Sequence, residues 1–149
     1  MAYLTQLHNL EVPIESAKGA LLVVTSEPSE HLAATRTSSG FQGTIVVDSN
    51  NTLATHLKEI GLLSIAISEH KGYPNGMVQP AVLVLKKNGT LLEKWAIVPS
   101  LMNLGGAKDR PDLMQIWENV QAKLEDRTVV HAKYSLQGAM GVIKGKIFG

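Results

Sequence analysis

The sequence predicts an α/β protein, a three-layer sandwich around a mixed sheet, and three observations carry that reading. Short unbroken apolar runs at 20–25 and 44–47 alternate with segments of helical periodicity, an order that places parallel strands between right-handed helical crossovers. Two apolar, β-branched runs at 81–86 and 90–97 flank Lys87-Asn88-Gly89, which adds an antiparallel pair and makes the sheet mixed. A last amphipathic segment, opening at Pro111, supplies a helix beside that pair.

In chain order, Tyr3, Leu7, Leu10, Ile14 and Ala17 fall at steps of four and three, one apolar face of a helix. Pro13 inside that pattern predicts a kink or break near Glu11 and Val12. After Gly19, the run 20–25 has the continuous apolar character of a strand buried on both faces. Ser29 is placed to cap a helix that runs to Ser38 or Ser39 and ends at Gly40. The run 44–47 reads as a second buried strand. Asp48, Ser49 and Asn50 offer caps for a helix with apolar Leu53, Leu57 and Ile60, closed by Gly61. A short strand is expected within 62–68, and Gly72-Tyr73-Pro74-Asn75-Gly76 reads as a loop. In the hairpin, Asn88-Gly89 favours the positive φ values of a type I′ turn. Residues 98–110 form a loop long enough to be functional or to pack across a pocket. The last helix carries Leu113, Ile116, Trp117, Val120 and Leu124 as one stripe. With no internal repeat and no linker, residues 1–127 are expected to form one domain, and 128–149 a tail that packs on it or on a partner subunit.

Composition narrows the chemistry. The 149 residues carry 14 Lys and Arg against 13 Asp and Glu, 44% hydrophobic residues and no cysteine. A net charge of +1 without a basic run gives no general attraction to nucleic acid. The absence of cysteine excludes disulfides, thiolate metal sites, thiol nucleophiles and dithiol redox chemistry in this polypeptide. No secretion signal is evident at the N-terminus and no run of ~18 apolar residues exists to span a bilayer, so a cytoplasmic protein is expected and a membrane partner is not.

The stretch Gln79-Pro80-Ala81-Val82-Leu83-Val84-Leu85-Lys86-Lys87-Asn88-Gly89-Thr90, running on to Trp95, resembles the cis-proline loop and hairpin of the thioredoxin fold. Leu22-Val23-Val24-Thr25-Ser26-Glu27-Pro28 and the segment from Trp95 to Pro111 are similar to the peroxiredoxin-like branch, the alkyl hydroperoxide reductase and thiol-specific antioxidant group. The resemblance covers most of residues 3–126. It implies a thioredoxin-like sandwich that lacks its first strand and its reactive-cysteine loop, because the helix from Ala2 to Ala17 matches the helix that the cysteine loop normally precedes. Peroxidase and disulfide-exchange activity are therefore not expected. An inner strand missing from a sheet leaves backbone groups unpaired, and a homodimer, a strand rearrangement or a swapped segment is expected to cover them.

For acid–base chemistry the sequence offers His8, His31, His56, His70 and His131, with Tyr3, Tyr73, Tyr134, Glu69 and Asp109. No histidine spacing matches a metal site, so neither a metal nor a cofactor is expected. His8, His31 and His56 fall on helices, where solvated positions are the default. His70 and Tyr73 precede Gln79-Pro80, and the resemblance places that loop opposite the start of the first helix, so His70 and Tyr73 are the candidate catalytic pair. Tyr3, Gln79, Pro80, Trp95 and Met102 are candidate pocket residues around them. The stretch from Met102 to Arg110, with its cations Lys108 and Arg110, could hold an anion or carboxylate near the last helix, which makes Asn103, Asp109 and Arg110 candidate ligand-binding residues, although Asp109 can simply cap that helix and pair with Arg110. Trp95, Trp117 and the methionines are expected in the core or lining a pocket, and Lys144 and Lys146 are placed to touch a partner.

Two classes of function follow. One is a redox-inactive peroxiredoxin-like protein acting as a binding or assembly module. The other is a cofactor-independent isomerase, dehydratase or cyclase that uses His70 and Tyr73 on a small-molecule ligand in the space left by the cysteine loop.

Overall fold

In the computed structural model, which describes residues 2–106 and 108–137, the first helix runs through its proline: α1 spans Ala2–Ser16 with Pro13 inside it. The expected break near Val12 is absent. The carbonyl that Pro13 leaves without a donor belongs to Asn9, an exposed residue, so water can replace the lost bond. The chain is mixed α and β, and it divides into two compact units, Met1–Val78 and Gln79–Gly149. Among the described residues no helix is long and apolar enough to cross a membrane.

In the first unit, α1 packs against α2 (Leu32–Ser39), which follows a 3-10 turn at Ser29–His31. Ser29 makes no side-chain cap, contrary to expectation; the 3-10 turn itself satisfies His31 N–H through Pro28 O at 3.0 Å. Gly40 ends α2 as expected, in the left-handed region. Strands β1 (Leu22–Thr25) and β2 (Thr44–Val47) pair in parallel, with Val24 opposite Val46. They are not buried on both faces: Leu22 is 54% exposed and Val46 41%.

The turn between α2 and β2 is built around Phe41, whose side chain is 0% exposed. Arg36 holds it by donating to Phe41 O at 3.4 Å and Gly43 O at 2.9 Å. Helix α3 (Thr52–Glu59) starts from Asp48, whose two carboxylate oxygens accept Thr52 N–H and Leu53 N–H at 2.9 and 2.8 Å. Of the three caps the sequence offered, Asp48 does the capping, because a carboxylate satisfies two orphan amides at once.

Residues 72–76 are not a loop. Strands β3 (Ile67–His70) and β4 (Tyr73–Val78) form an antiparallel hairpin turned by Lys71 and Gly72. Pro74 fits there because a two-stranded sheet leaves one side of each strand outside the ladder, where a missing N–H breaks nothing.

In the second unit, β5 (Ala81–Leu85) and β6 (Leu91–Ala96) form the expected hairpin, Val82 opposite Trp95. Its turn differs from the expected type. Gly89 alone takes positive φ (+86°), Gly89 N–H bonds Lys86 O at 2.9 Å, and Lys86 N–H bonds Thr90 O at 2.8 Å. Asn88 instead accepts Thr90 N–H on its side chain at 3.0 Å. This is a four-residue turn closed by a left-handed glycine, and it places a bulge between Val84 and Leu85.

A 3-10 stretch, Leu101–Gly106, precedes β7 (Arg110–Pro111) and α4 (Leu113–Leu124). Pro111 is fully buried in β7 and not in the first turn of the helix; Asp112 caps α4, accepting Met114 N–H at 2.8 Å. Leu113, Ile116 and Val120 of the expected stripe are buried, whereas Leu124 at its end is not. The chain returns to pair β8 (Leu136–Gln137) antiparallel with β7. Among the described residues the strands thus form four two-stranded sheets, where the sequence suggests one mixed sheet. Among the described residues no peptide bond is cis, so the bond before Pro80 is trans. This corrects the cis-proline that the resemblance implies. Pro80 leads directly into β5, its carbonyl accepting Ile97 N–H at 3.1 Å. Residues 138–149, including Lys144 and Lys146, lie outside the described residues.

Candidate functional site

The hairpin β3–β4 brings His70 and Tyr73 together. They are register partners across its turn, with ring centroids 5.3 Å apart and planes at 86°. His70 is exposed, and its Nδ1 lies 2.9 Å from Lys71 O. A carbonyl can only accept, so this bond keeps the imidazole proton on Nδ1 and leaves the Nε2 lone pair outward. Tyr73 is half-buried, and its pKa is raised first by burial and then by the Glu27 carboxylate. The pair sets a phenol donor beside an imidazole ring.

Glu27 is part of this neighbourhood and has no motif to announce it. It is held by Thr35, whose hydroxyl donates to its Oε2 at 2.8 Å, while the buried Ser26 hydroxyl accepts Val78 N–H at 3.0 Å. The Ser26–Val78 bond ties the end of β1 to the end of β4, and the Thr35–Glu27 bond ties it to α2.

The other candidate residues divide between the units. Tyr3 sits half-buried on α1 in the first unit. Gln79 (buried), Pro80 and Trp95 (both half-buried) belong to the second. Met102 is not in the core: it is 82% exposed and Leu101 beside it 97%. Asn103 is buried and organises its own loop, accepting Ser100 N–H at 2.8 Å and donating to Val98 O at 2.9 Å. That bonding turns Val98, Leu101 and Met102 outward. Asp109 takes φ of +66° and does not cap α4; Arg110 lies in β7 opposite Gln137. His8, His31 and His56 are exposed, His8 beside Glu11 at 3.3 Å. Among the described residues no three His, Asp or Glu side chains gather as metal ligands.

A second polar cluster forms on α4. Buried Asn119 donates to His131 O at 2.8 Å and to the Tyr134 hydroxyl at 3.3 Å, and accepts His131 N–H at 2.8 Å. His131 Nε2 bonds Glu118. Lys123 Nζ reaches Leu92 O at 2.7 Å and Glu93 at 3.0 Å. The Tyr134 phenol is pushed up to about 12, first by burial, with the Glu93 carboxylate adding to the rise and the Asn119 hydrogen bond opposing it. The signal for this cluster in the sequence is faint: Asn119 sits between Ile116 and Val120 of the apolar stripe, a polar residue where burial is expected.

In comparison with known proteins, no family model matches the chain, and no curated protein and no solved structure matches it.

Proposed function

We propose that this protein is a binding or assembly module with a thioredoxin-like, peroxiredoxin-like pattern and no thiol chemistry, and that it pairs with a second copy along the edge of the β1–β2 sheet. The observation that carries the reading is the character of those two strands. Leu22-Val23-Val24-Thr25 and Thr44-Ile45-Val46-Val47 contain no charge, no proline and no bulge, the devices by which monomeric proteins blunt an open edge. They form a two-stranded sheet with exposed apolar side chains on both strands. An isologous pairing across a two-fold axis would satisfy such an edge. Sedimentation across a concentration series tests it: the wild type is expected to dimerise, and Leu22→Lys and Val46→Lys, which place a charge on each strand at an already exposed position, to lower the dimer fraction. A wild type that stays monomeric throughout removes the reading.

The His70–Tyr73 contact favours a second reading, proton-transfer chemistry on a small molecule with Nε2 of His70 as base and the Tyr73 phenol as acid. Any isomerase, dehydratase or cyclase turnover found in a substrate screen is then expected to fall by about 10²-fold or more in His70→Ala and Tyr73→Phe, with the circular dichroism spectrum unchanged. Undiminished turnover in both variants would falsify it.

A further inference from the structure

We propose that residues 131–137 are an exchangeable strap, and that the face of α4 which holds them also takes up the same residues from a second copy of this chain. This interface is separate from the β1–β2 edge and rests on different atoms.

Gln115 and Asn119 stand one turn apart on α4, and each side-chain amide pairs with the backbone of one strap residue. Gln115 donates to Ser135 O at 3.1 Å and accepts Ser135 N–H at 2.8 Å. Asn119 makes the equivalent pair with His131, donor and acceptor both at 2.8 Å. Strap residues four apart are thus matched to helix residues four apart, in the opposite chain direction. Two side chains add identity to this backbone match: His131 bonds Glu118, and the Tyr134 hydroxyl accepts from Asn119.

Directional polar bonds dominate the hold over apolar burial. Ala132, Lys133 and Ser135 are exposed and Leu136 is 52% exposed, so lifting the strap uncovers little apolar surface. Every bond described runs between the strap and either α4 or its neighbour β7, so an identical strap arriving from another copy re-forms all of them. That is the condition under which swapping an element costs little beyond association itself.

The connection supplies the bias. Helix α4 ends in a reversal in which Arg127 N–H reaches back to Ala122 O at 2.8 Å and Asp126 N–H to Lys123 O at 3.4 Å. This motif requires a left-handed residue, normally glycine. Here it is Asp126, with φ of +53°. Aspartate tolerates that conformation better than most L-residues, yet its Cβ still denies it the freedom of glycine there. A hinge that extends to carry the strap to a neighbour releases Asp126 to ordinary negative φ. The remaining hinge residues offer little opposition, since Glu125, Arg127, Thr128 and Val130 are exposed and Val129 alone is half-buried.

The test is mixing by complementation, in a Leu22→Lys/Val46→Lys background that disables the β1–β2 edge. One copy has a blind helix (Gln115→Ala/Asn119→Ala) and the other a blind strap (His131→Pro/Ser135→Pro), whose backbone has lost the two N–H donors that Asn119 and Gln115 accept. Neither alone contains an intact helix–strap pair, whereas an exchanged heterodimer contains one. Sedimentation after mixing is expected to show a dimer absent from either sample alone; a mixture that sediments as the sum of its parts overturns the proposal. Since the blind variants could lose their fold, hinge variants in the same background give a second measurement. Asp126→Pro forbids positive φ and is expected to raise the dimer fraction, and Asp126→Gly relieves the closed form and is expected to lower it. The change should be about fivefold per hinge, or roughly 25-fold for the two hinges of a dimer. Equal dimer fractions in the two hinge variants overturn the proposal. If edge charges abolish wild-type dimerisation and mixing restores nothing, the edge reading stands and strap exchange fails. If dimers survive the edge charges and respond to Asp126, strap exchange stands and the edge reading fails.

Discussion

The two units place their buried polar groups differently. In Met1–Val78 they sit at turns and hairpin ends: Ser39 accepts Phe41 N–H at 3.3 Å, and Asn51 donates to Asn75 O at 2.7 Å, which ties the β3–β4 hairpin to the start of α3. The largest apolar side chain fully buried there is Phe41, beside the smaller buried Leu10, Ala54 and Leu63. In the unit beginning at Gln79 the apolar stripe of α4 is regular, and its buried polar residue, Asn119, attaches a distant segment, residues 131–134, to that helix. The contrast teaches where each unit is vulnerable. The first is expected to be most sensitive at the Phe41 turn, and the second at the attachment of residues 131–135 to α4.

Phe41→Ala breaks this comparison most severely. Removing a fully buried ring costs about 3–5 kcal/mol, and chemical denaturation should show it together with faster amide exchange in β1 and β2. Gly43→Ala approaches the same result from the other side: an added Cβ would lie 2.5 Å from the Phe41 ring, and overpacking of this kind costs about 1–3 kcal/mol. If both substitutions cost under ~1 kcal/mol, Phe41 is not the anchor of its unit.

Asn119→Ala comes next. It deletes three hydrogen bonds and leaves the His131 backbone groups in search of partners, a loss of about 2 kcal/mol. Amide exchange should accelerate at His131 and Ser135 while the β5–β6 hairpin stays protected. Uniform acceleration over both would mean that the strap and the core open together.

The same contrast explains what can be read from the chain. The β5–β6 hairpin and the stripe Leu113, Ile116 and Val120 are local patterns, periods of two and 3.6 that need no knowledge of the rest of the molecule. Hairpin β3–β4 is invisible to that reasoning, since Tyr73-Pro74-Asn75-Gly76 is turn-like in propensity and becomes a strand because of its pairing with β3. The His70–Tyr73 pair is legible because both residues sit close together in a short segment. Glu27, which bears on Tyr73 from across the unit, and the group of Asn119, His131 and Tyr134 are not, because nothing in their spacing reveals a contact made through the fold. The hairpin turn shows the limit in miniature: Asn88-Gly89 announces a turn, while the backbone geometry chosen depends on one residue more or less in the loop.

A smaller effect isolates that turn. Gly89 has no atom within 4 Å of the position a Cβ would take, so a substitution there is felt through φ alone. Gly89→Val is expected to cost about 1–2 kcal/mol, the penalty of a left-handed L-residue, and Gly89→Asn markedly less because asparagine tolerates that region. Equal losses in thermal unfolding would indicate that the turn is held by contacts and not by its backbone.

The smallest expected effect compares one tyrosine from each unit under alkaline conditions. Burial followed by a carboxylate raises both phenols, Glu27 acting on Tyr73 and Glu93 on Tyr134, the latter to about 12. A phenol whose folded pKa lies above its unfolded value of 10 binds its proton more tightly when folded. Its stabilising contribution is complete below pH 10 and is lost as pH rises through 10 toward about 12, because the unfolded chain ionises first. Tyr134 is partly open to solvent, so the slope is shallow. Tyr134→Phe should remove that slope from the second unit's unfolding and leave the Tyr73 contribution in place, while Glu93→Gln should bring the Tyr134 titration down toward its ordinary range. The two carboxylates act on their own tyrosines, so phenolate absorbance in Glu93→Gln should shift for Tyr134 alone. A shift in both phenols would mean that this electrostatic coupling crosses from one unit to the other.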